Sequence, residues 1–142
     1  NCIHAVLPGM IEKEAGAIVC ISSDAGRMGE YREAVYSACK AGIIALSKSV
    51  ARETGRYGLR LNVVCPGLVV PPAEESISEE SMWTEMRGIF TEDVREKGER
   101  NYLFRRMGTA QEVANAVVFL ASDAASFITG QTLSVSGGYT MM

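Results

Sequence analysis

Short apolar runs alternate along the chain with longer segments in which apolar residues recur at helical spacing. Residues 17–23 and 59–67 are runs rich in Val, Ile and Leu, and residues 131–138 form a shorter run that ends in two glycines. Continuous apolar runs of this length are typical of strands buried on both faces of a parallel sheet. The pattern therefore predicts three strands, the first two buried on both faces.

The segments between these runs carry helix signals. Residues 1–14 read as a helix, and a further helix begins at Thr109, where Thr-Ala-Gln-Glu matches a capping box. The glycines and charges of residues 24–34 predict a loop. The central helix is predicted over 35–54, where apolar or small residues recur at helical spacing: Val35, Ala38, Gly42, Ala45, Leu46, Ser49 and Val50. Strands alternating with helices predict an α/β fold with a parallel sheet.

Candidate chemistry lies where the predicted strands end. A parallel sheet carries its ligand site at the carboxyl ends of its strands. The first strand ends at Ser22 and Ser23, and the second ends at Pro66–Gly67. Tyr36 and Lys40 lie near the start of the intervening helix, where residues four apart are neighbours on one face. The sequence therefore predicts that these groups converge at one edge of the sheet.

The Tyr36–Lys40 pair suits proton transfer. A free tyrosine has a pKa of about 10, and a nearby ammonium or a helix start stabilises the phenolate. Ser23 can donate a hydrogen bond to a substrate oxygen whose charge changes during reaction. Such a site handles a carbonyl/alcohol pair, and because no side chain accepts hydride, a cofactor is implied. Tyr-x-x-x-Lys alone is a weak signal that an exposed helix pair also gives; its strand, helix and Pro-Gly context favours the site.

Composition and charge argue against several classes of protein. The net charge of −3 and the lack of a basic run give no nucleic-acid or anionic-membrane surface. No apolar stretch approaches the roughly 20 residues of a membrane span. The four cysteines lack metal-ligand spacing and His4 is the one histidine, so we expect no metal site. Free thiols fit a reducing compartment, and we expect a cytoplasmic protein.

The chain resembles the short-chain dehydrogenases/reductases in five segments taken in order: ISS, YSACKAG, LRLNVVCPG, GTAQEVANAVVFLAS and ITGQTLSVSGG. The likeness is strongest to the subgroup that contains the 3-oxoacyl-carrier-protein reductases. It implies an NAD(P)-binding, Rossmann-type, doubly wound parallel sheet of which only the C-terminal half is present. It also implies an oxidoreductase that uses NAD or NADP to interconvert a secondary alcohol and a ketone, with a hydroxyacyl thioester or a cyclic alcohol as a suitable substrate.

The resemblance also implies roles for individual residues at the reacting end of the site. Tyr36 is the expected catalytic acid/base, and Lys40 lowers its pKa while holding the nicotinamide ribose. Ser23, thirteen residues before Tyr36, is expected to orient the substrate oxygen. Ser22 is the rival for that role, and the spacing favours Ser23.

A second set of residues is implied beside the cofactor. Pro66 and Gly67 match the family's turn next to the nicotinamide, and Val69 matches the position whose backbone meets the carboxamide. The family often has a threonine four residues after that glycine. Here that position is Pro71, so the contact is expected to be lost or rearranged.

Missing segments also distinguish the chain from the family pattern. The glycine-rich phosphate loop, the first strands and the catalytic asparagine are missing from the sequence, and Asn1 does not stand in for that asparagine. We therefore expect residues 1–142 to be the later part of one longer Rossmann-fold domain, inactive by itself.

The resemblance also implies an insert at about 71–107 that closes over the substrate. Its large apolar side chains either form a lid over the substrate or only pack the insert onto the domain: Met82, Trp83, Met86, Phe90 and Leu103. Arg105 and Arg106 are expected to be solvated or salt-bridged rather than to bind an anionic substrate.

Two alternatives to the dehydrogenase remain open from the sequence. An extended-type sugar-nucleotide epimerase or dehydratase shares Tyr-x-x-x-Lys, although the short C-terminal part and the SVSGG ending argue against it. A truncated, inactive fragment or interaction module would leave the edge of strand 17–23 open to another chain. For the dehydrogenase, the family implies a small-molecule substrate and self-association as a homotetramer or homodimer through the 35–54 helix and the last strand.

Overall fold

A three-stranded parallel sheet forms the centre of the molecule in the computed structural model, which describes residues 1–70 and 91–141. Its strands are β1 (Gly16–Ile21), β2 (Leu59–Pro66) and β3 (Thr132–Val135), in that spatial order. Each strand ends before the last residue of its predicted run. The three predicted strands and their parallel arrangement are confirmed.

Helices connect the strands and flank the sheet. They are α1 (Cys2–Glu12), α2 (Ala25–Met28), α3 (Ala34–Thr54), α4 (Glu92–Glu99) and α5 (Ala110–Ala121), with 3-10 turns at Gly55–Tyr57 and Asp123–Ala125. The prediction of a plain loop over residues 24–34 is wrong, because α2 forms a helical turn there that Gly29 ends with a φ of 75°. Among the described residues, no helix combines the length and the apolar character needed to span a membrane.

The sheet buries its two faces against different helices. On one face, Val50 and Ala51 of α3 pack on Leu61 of β2, with partly buried residues of α1 alongside. On the other face, Leu120 of α5 packs on Val64, and the apolar stripe predicted for this helix, Val113, Ala116 and Val117, packs around it. Helices on both faces of a parallel sheet make a doubly wound α/β layer, as predicted.

Burial differs from the sequence pattern in two elements. β2 is buried as predicted, but β1 is only half-buried, and its last residue, Ile21, is 44% exposed because β2 is its one strand neighbour among the described residues. Of the α3 residues singled out by helical spacing, only Val50 is buried. The face of α3 that packs on the sheet consists instead of Ser47, Val50, Ala51 and Thr54.

The start of α5 shows how local sequence sets an element boundary. The Thr109 hydroxyl accepts the Glu112 N–H, and the Glu112 carboxylate accepts the Thr109 N–H at 2.9 Å, which confirms the predicted capping box. The Arg106 guanidinium bonds the same carboxylate and lowers the pKa of Glu112 to about 2. This carboxylate therefore supports the helix start above its ordinary pKa of 4.5, and the support fades as the pH falls towards 2. Arg106 is salt-bridged, as expected from the sequence.

Candidate active site

The three strands end at one edge of the sheet, and the segments that follow them remain tied together there. In the strand register Ile21 pairs with Val64 and Pro66 pairs with Val135. Beyond the strands, the Asp24 N–H donates to the Pro66 carbonyl at 3.1 Å, and the Gly67 N–H donates to the Val135 carbonyl at 3.1 Å. The residues that follow each strand are thus held side by side, at the edge where a parallel sheet carries its ligand site.

A cleft of about 850 Å³ lies at this edge. Five of the six predicted site residues line it: Ser23, Tyr36, Pro66, Gly67 and Val69. The cleft therefore brings together the two hydroxyl groups predicted for catalysis and the Pro-Gly turn predicted for the cofactor. Its size is within the range typical of small-molecule sites.

Lys40, the sixth predicted residue, lies behind Tyr36 rather than in the lining of the cleft. Its Nζ is 5.6 Å from the centroid of the Tyr36 ring, and it donates to the Ile21 carbonyl at 3.2 Å. Tyr36 itself is 47% exposed, so its ring is open to a ligand.

Ser22 and Ser23 have different surroundings, which bears on the choice that the sequence left between them. Ser22 is buried and its hydroxyl donates to the Lys40 carbonyl at 2.7 Å, so its one proton is already used within the protein. Ser23 lines the cleft, and its Oγ accepts the Ala25 N–H at 3.2 Å. An accepted hydrogen bond leaves the Ser23 proton available to a substrate oxygen. This geometry favours Ser23 over Ser22 as the residue that could orient a substrate oxygen.

Gly26 lets the segment that carries Ser23 approach helix α3 closely. A Cβ at Gly26 would lie 2.7 Å from the Lys40 carbonyl carbon and 2.8 Å from the Ala41 nitrogen. Only glycine fits such contact with backbone atoms, which cannot turn aside as a side chain can. The short distance between the segment after Ser23 and the turn of α3 that carries Lys40 therefore depends on having glycine, with no side chain, at position 26.

The Pro-Gly turn is also tightly packed. A Cβ at Gly67 would lie 3.1 Å from Cβ of Ser136, the residue that follows β3, and 3.2 Å from the ring of Tyr102. Two residues further on, Val69 forms an isolated parallel bridge with Gly108. The backbone from Gly67 to Val69 thus has a fixed position along the cleft.

Most of the predicted lid cannot be placed, because it lies outside the described residues, as does Pro71: Met82, Trp83, Met86 and Phe90. The remaining predicted lid residue, Leu103, is 64% exposed and adjoins Gly138.

Sequence reasoning missed a buried carboxylate directly beside Ser23. Asp24 is 1% exposed, and its Oδ2 accepts the Ser134 hydroxyl of β3 at 2.7 Å. An Arg27 nitrogen lies 3.6 Å from its Oδ1. These contacts fix the segment after Ser23 to the end of β3. The signal in the sequence was a charged residue directly after the apolar run 17–23, but its partner lies 110 positions away.

Sequence reasoning also missed Glu30, Tyr102 and Tyr139, all of which line the cleft. Asp24 and Glu33 line it as well, with Arg32 as the positively charged residue of the described lining. Its acidic side chains thus outnumber the basic one, which disfavours a carboxylate or phosphate held against this part of the surface.

Comparison with known proteins decides the family. A family profile described as enoyl-(acyl carrier protein) reductase matches residues 1–140 of the chain. The chain belongs to the short-chain dehydrogenase/reductase family. The resemblance drawn from the five sequence segments is therefore confirmed.

Curated members of the short-chain dehydrogenase/reductase family match nearly the whole chain. An acetoacetyl-CoA reductase of Synechocystis is 43% identical over 138 residues, which are 96% of this chain and 52% of the relative. The 3-oxoacyl-[acyl-carrier-protein] reductase FabG of Escherichia coli is 42% identical over 138 residues, or 97% of this chain and 51% of the relative. The chain spans about half the length of the curated relatives it matches.

Solved structures of the family share the fold. ElxO with NADP bound superimposes with a TM-score of 0.83 at 30% identity, covering 97% of this chain and 52% of that one. The 3-oxoacyl-[acyl-carrier protein] reductase from Brucella melitensis gives a TM-score of 0.82 at 33% identity, covering 99% of this chain and 48% of that one. The predicted Rossmann-type fold is confirmed, and the chain covers about half of each of these structures.

Proposed function

We propose that this chain is the catalytic half of an NAD(P)-dependent oxidoreductase that interconverts a secondary alcohol and a ketone. One observation carries the proposal: Ser23, Tyr36 and the Pro66–Gly67 turn line the same cleft, with the Lys40 ammonium behind the Tyr36 ring. A proton donor, a hydrogen-bond donor and a turn for the cofactor are the parts that such a reaction needs from the protein.

The chain's own residues account for the proton and the orientation of the substrate. In the direction of reduction, the substrate oxygen accepts hydrogen bonds from the Ser23 and Tyr36 hydroxyls, so that the carbonyl carbon becomes electron-poor. A reduced nicotinamide, when bound, would supply the hydride for that carbon. Tyr36 transfers its proton to the oxygen, which completes the alcohol and leaves a phenolate. The Lys40 ammonium stabilises that phenolate until a proton returns from solvent.

The residues of this chain fit the nicotinamide end of the cofactor. The backbone between Gly67 and Val69 lies along the cleft in a fixed position, in the same lining as Tyr36, and the Lys40 side chain lies behind that tyrosine. The family's glycine-rich phosphate loop is not part of this sequence. The proposal therefore assigns the nicotinamide and its ribose to this chain and the phosphates to other residues.

Relatives favour a choice of cofactor and substrate to test first. The structural neighbour ElxO has NADP bound, and the curated relatives are named for acetoacetyl-CoA and 3-oxoacyl-[acyl-carrier-protein]. NADPH and a 3-oxoacyl thioester are accordingly the proposed pair, with a cyclic ketone as the second substrate class. The four cysteines are free thiols, which is consistent with a reducing, cytoplasmic location.

Self-association as a homodimer or homotetramer is part of the proposal. Helix α3 leaves Val35 80% exposed and Leu46 52% exposed, and both are apolar side chains that a partner subunit would cover.

The competing hypothesis of a cofactor-free interaction module rests on the exposed end of β1. Titration with NADPH separates the two, because an interaction module does not bind the cofactor.

Turnover of NADPH with acetoacetyl-CoA tests the function. The protein is expressed in its complete natural form, with any residues that precede Asn1. Loss of the near-ultraviolet absorbance of NADPH is the expected result, and replacing Lys40 by Met should lower kcat by about 10²-fold because the phenolate loses its counter-charge. Lys48→Met is the matched control, since Lys48 lies on the same helix with an exposed side chain outside the cleft lining.

The control separates a charge effect at the site from a general effect on α3. If Lys48→Met lost as much turnover as Lys40→Met, the role given to Lys40 would be wrong. If the wild-type protein consumed neither NADPH nor NADH with any ketone, the function itself would be wrong.

A further inference from the structure

Two stacked tyrosines line the cleft. The rings of Tyr102 and Tyr139 are 5.1 Å apart between centroids, with 20° between their planes. Tyr102 is 5% exposed, whereas Tyr139 lies beyond the last strand and is half-buried. Both belong to the lining that also contains Ser23 and Tyr36. The pair thus forms an aromatic wall of the candidate active site.

Backbone geometry after β3 brings Tyr139 to this position. Gly137 and Gly138 have φ values of 56° and 84°, a region that side-chain-bearing residues rarely adopt. The Tyr139 N–H then donates to the Ser136 carbonyl at 3.0 Å, which closes a tight turn. The two glycines at the end of the strand therefore turn the chain back towards the cleft.

Hydrogen bonds hold the wall at both ends. The Tyr139 hydroxyl donates to Glu30 Oε2 at 2.6 Å, and the Leu68 N–H donates to the Tyr102 hydroxyl at 2.8 Å. Leu68 directly follows the Pro66–Gly67 turn. The wall is thereby attached on one side to the loop before α3 and on the other side to the cofactor turn.

Glu30 has a fixed position of its own. Its other carboxylate oxygen accepts the Tyr31 N–H at 3.1 Å, and its backbone N–H donates to the Ser37 hydroxyl at 3.2 Å. Ser37 directly follows Tyr36 on α3. A hydrogen bond from a phenol to a carboxylate is short and stronger than one between neutral groups. The bond to Glu30, together with burial, raises the pKa of Tyr139 to about 12, so the hydroxyl keeps its proton in ordinary assay conditions.

We propose that Tyr139 is a specificity-determining residue, whose ring, held by Glu30, limits the size of the group attached to the reacting carbon of the substrate. This inference rests on the proposed function, which it extends to the choice among ketones. The acidic side chains around Glu30 disfavour a negatively charged group at this position. A residue beyond the last strand thus sets the shape of a site whose reacting groups lie more than 100 positions earlier in the chain.

The test compares two ketones in the complete natural protein with NADPH: acetoacetyl-CoA and a 3-oxoacyl-CoA with a phenyl group on the reacting carbon. Tyr139→Ala should raise the ratio of kcat/KM for the bulky ketone to kcat/KM for the small one by about 10-fold or more. The reason is that small differences in fit within an apolar pocket change the discrimination between two substrates by about that factor. Tyr31→Ala is the control, since Tyr31 is 85% exposed, outside the cleft lining, and its backbone bond to Glu30 survives the change. Its ratio should stay at the wild-type value.

Two changes at Glu30 test whether it positions the ring. Glu30→Ala removes the acceptor and should raise the ratio in the same direction as Tyr139→Ala, whereas Glu30→Gln retains an acceptor oxygen and should restore most of the wild-type ratio. A general loss of stability would lower kcat/KM for both ketones equally and leave the ratio unchanged. Because Glu30→Ala retains the Tyr139 ring, this variant still tests the proposal if Tyr139→Ala does not fold.

The outcomes distinguish the two proposals. An active wild-type protein whose ratio is unchanged by Tyr139→Ala and Glu30→Ala overturns the specificity role alone. A wild-type protein without ketone reduction overturns the proposed function, and the specificity role falls with it.

Discussion

Replacing Tyr36 by Phe is expected to lower kcat by about 10²–10⁴-fold, the contribution typical of a positioned general acid or base. The change removes one hydroxyl from a ring that is 47% exposed in the cleft, so the fold should be unaffected. Affinity for NADPH should stay within about twofold, because the proton is needed in the reaction and not for binding. Steady-state turnover with a ketone and fluorescence titration with NADPH measure the two quantities in the complete natural protein.

The matched control is Tyr57→Phe, which removes a hydroxyl that pairs with Arg56 outside the lining of the cleft. It should leave kcat unchanged. Wild-type turnover in Tyr36→Phe would show that another group delivers the proton. Loss of turnover together with loss of NADPH binding would make Tyr36 a binding residue.

Gly26→Ala is expected to be the most damaging small substitution at the site. The added methyl group would lie 2.7–2.8 Å from backbone atoms of Lys40 and Ala41, so α2 must move away from α3. Overpacking of this kind costs about 1–3 kcal/mol of unfolding free energy. Because α2 follows Ser23 and Asp24 directly, the same movement displaces the serine from Tyr36, and kcat should fall as well. Urea unfolding measures the first effect and ketone turnover the second.

Gly9→Ala is the control for this substitution. Gly9 lies in α1, and a Cβ added there would have no heavy atom within 4 Å beyond the helix's own backbone and its chain neighbours. Alanine favours a helix over glycine by about 0.5–1 kcal/mol. That variant should be slightly more stable than the wild type and equally active. A Gly26→Ala protein as stable and active as the wild type would contradict the close packing of α2 on α3.

Apolar runs and strand ends made much of the fold predictable from the sequence. The β-branched runs located the strands, and the Thr109–Glu112 pair located the start of α5, because both signals are local. Burial was less predictable. Val35 fits the helical spacing of α3 but is 80% exposed, and the buried face of that helix includes Ser47, which the hydrophobic pattern overlooks.

The candidate site was predictable where it follows from topology. Ser23, Tyr36 and the Pro66–Gly67 turn stand next to strand ends or at a helix start, so parallel order brings them to one edge. The Ser134–Asp24 and Tyr139–Glu30 bonds were not predictable, since they join positions 110 and 109 apart and depend on how the end of β3 packs. No local pattern marks such a pair.

The central claim is that a ketone bound in the cleft beside Ser23 and Tyr36 is reduced with hydride from a nicotinamide and a proton from Tyr36, with Lys40 next to the Tyr36 ring. Its most direct test supplies the complete natural protein with NADPH deuterated at the transferable position of the nicotinamide ring, and analyses the product of acetoacetyl-CoA by mass spectrometry. We expect an alcohol with one deuterium on the carbinol carbon, formed by the wild type and formed about 10²-fold or more slowly by Tyr36→Phe. An alcohol without deuterium, or no alcohol with any nicotinamide cofactor, would contradict the account.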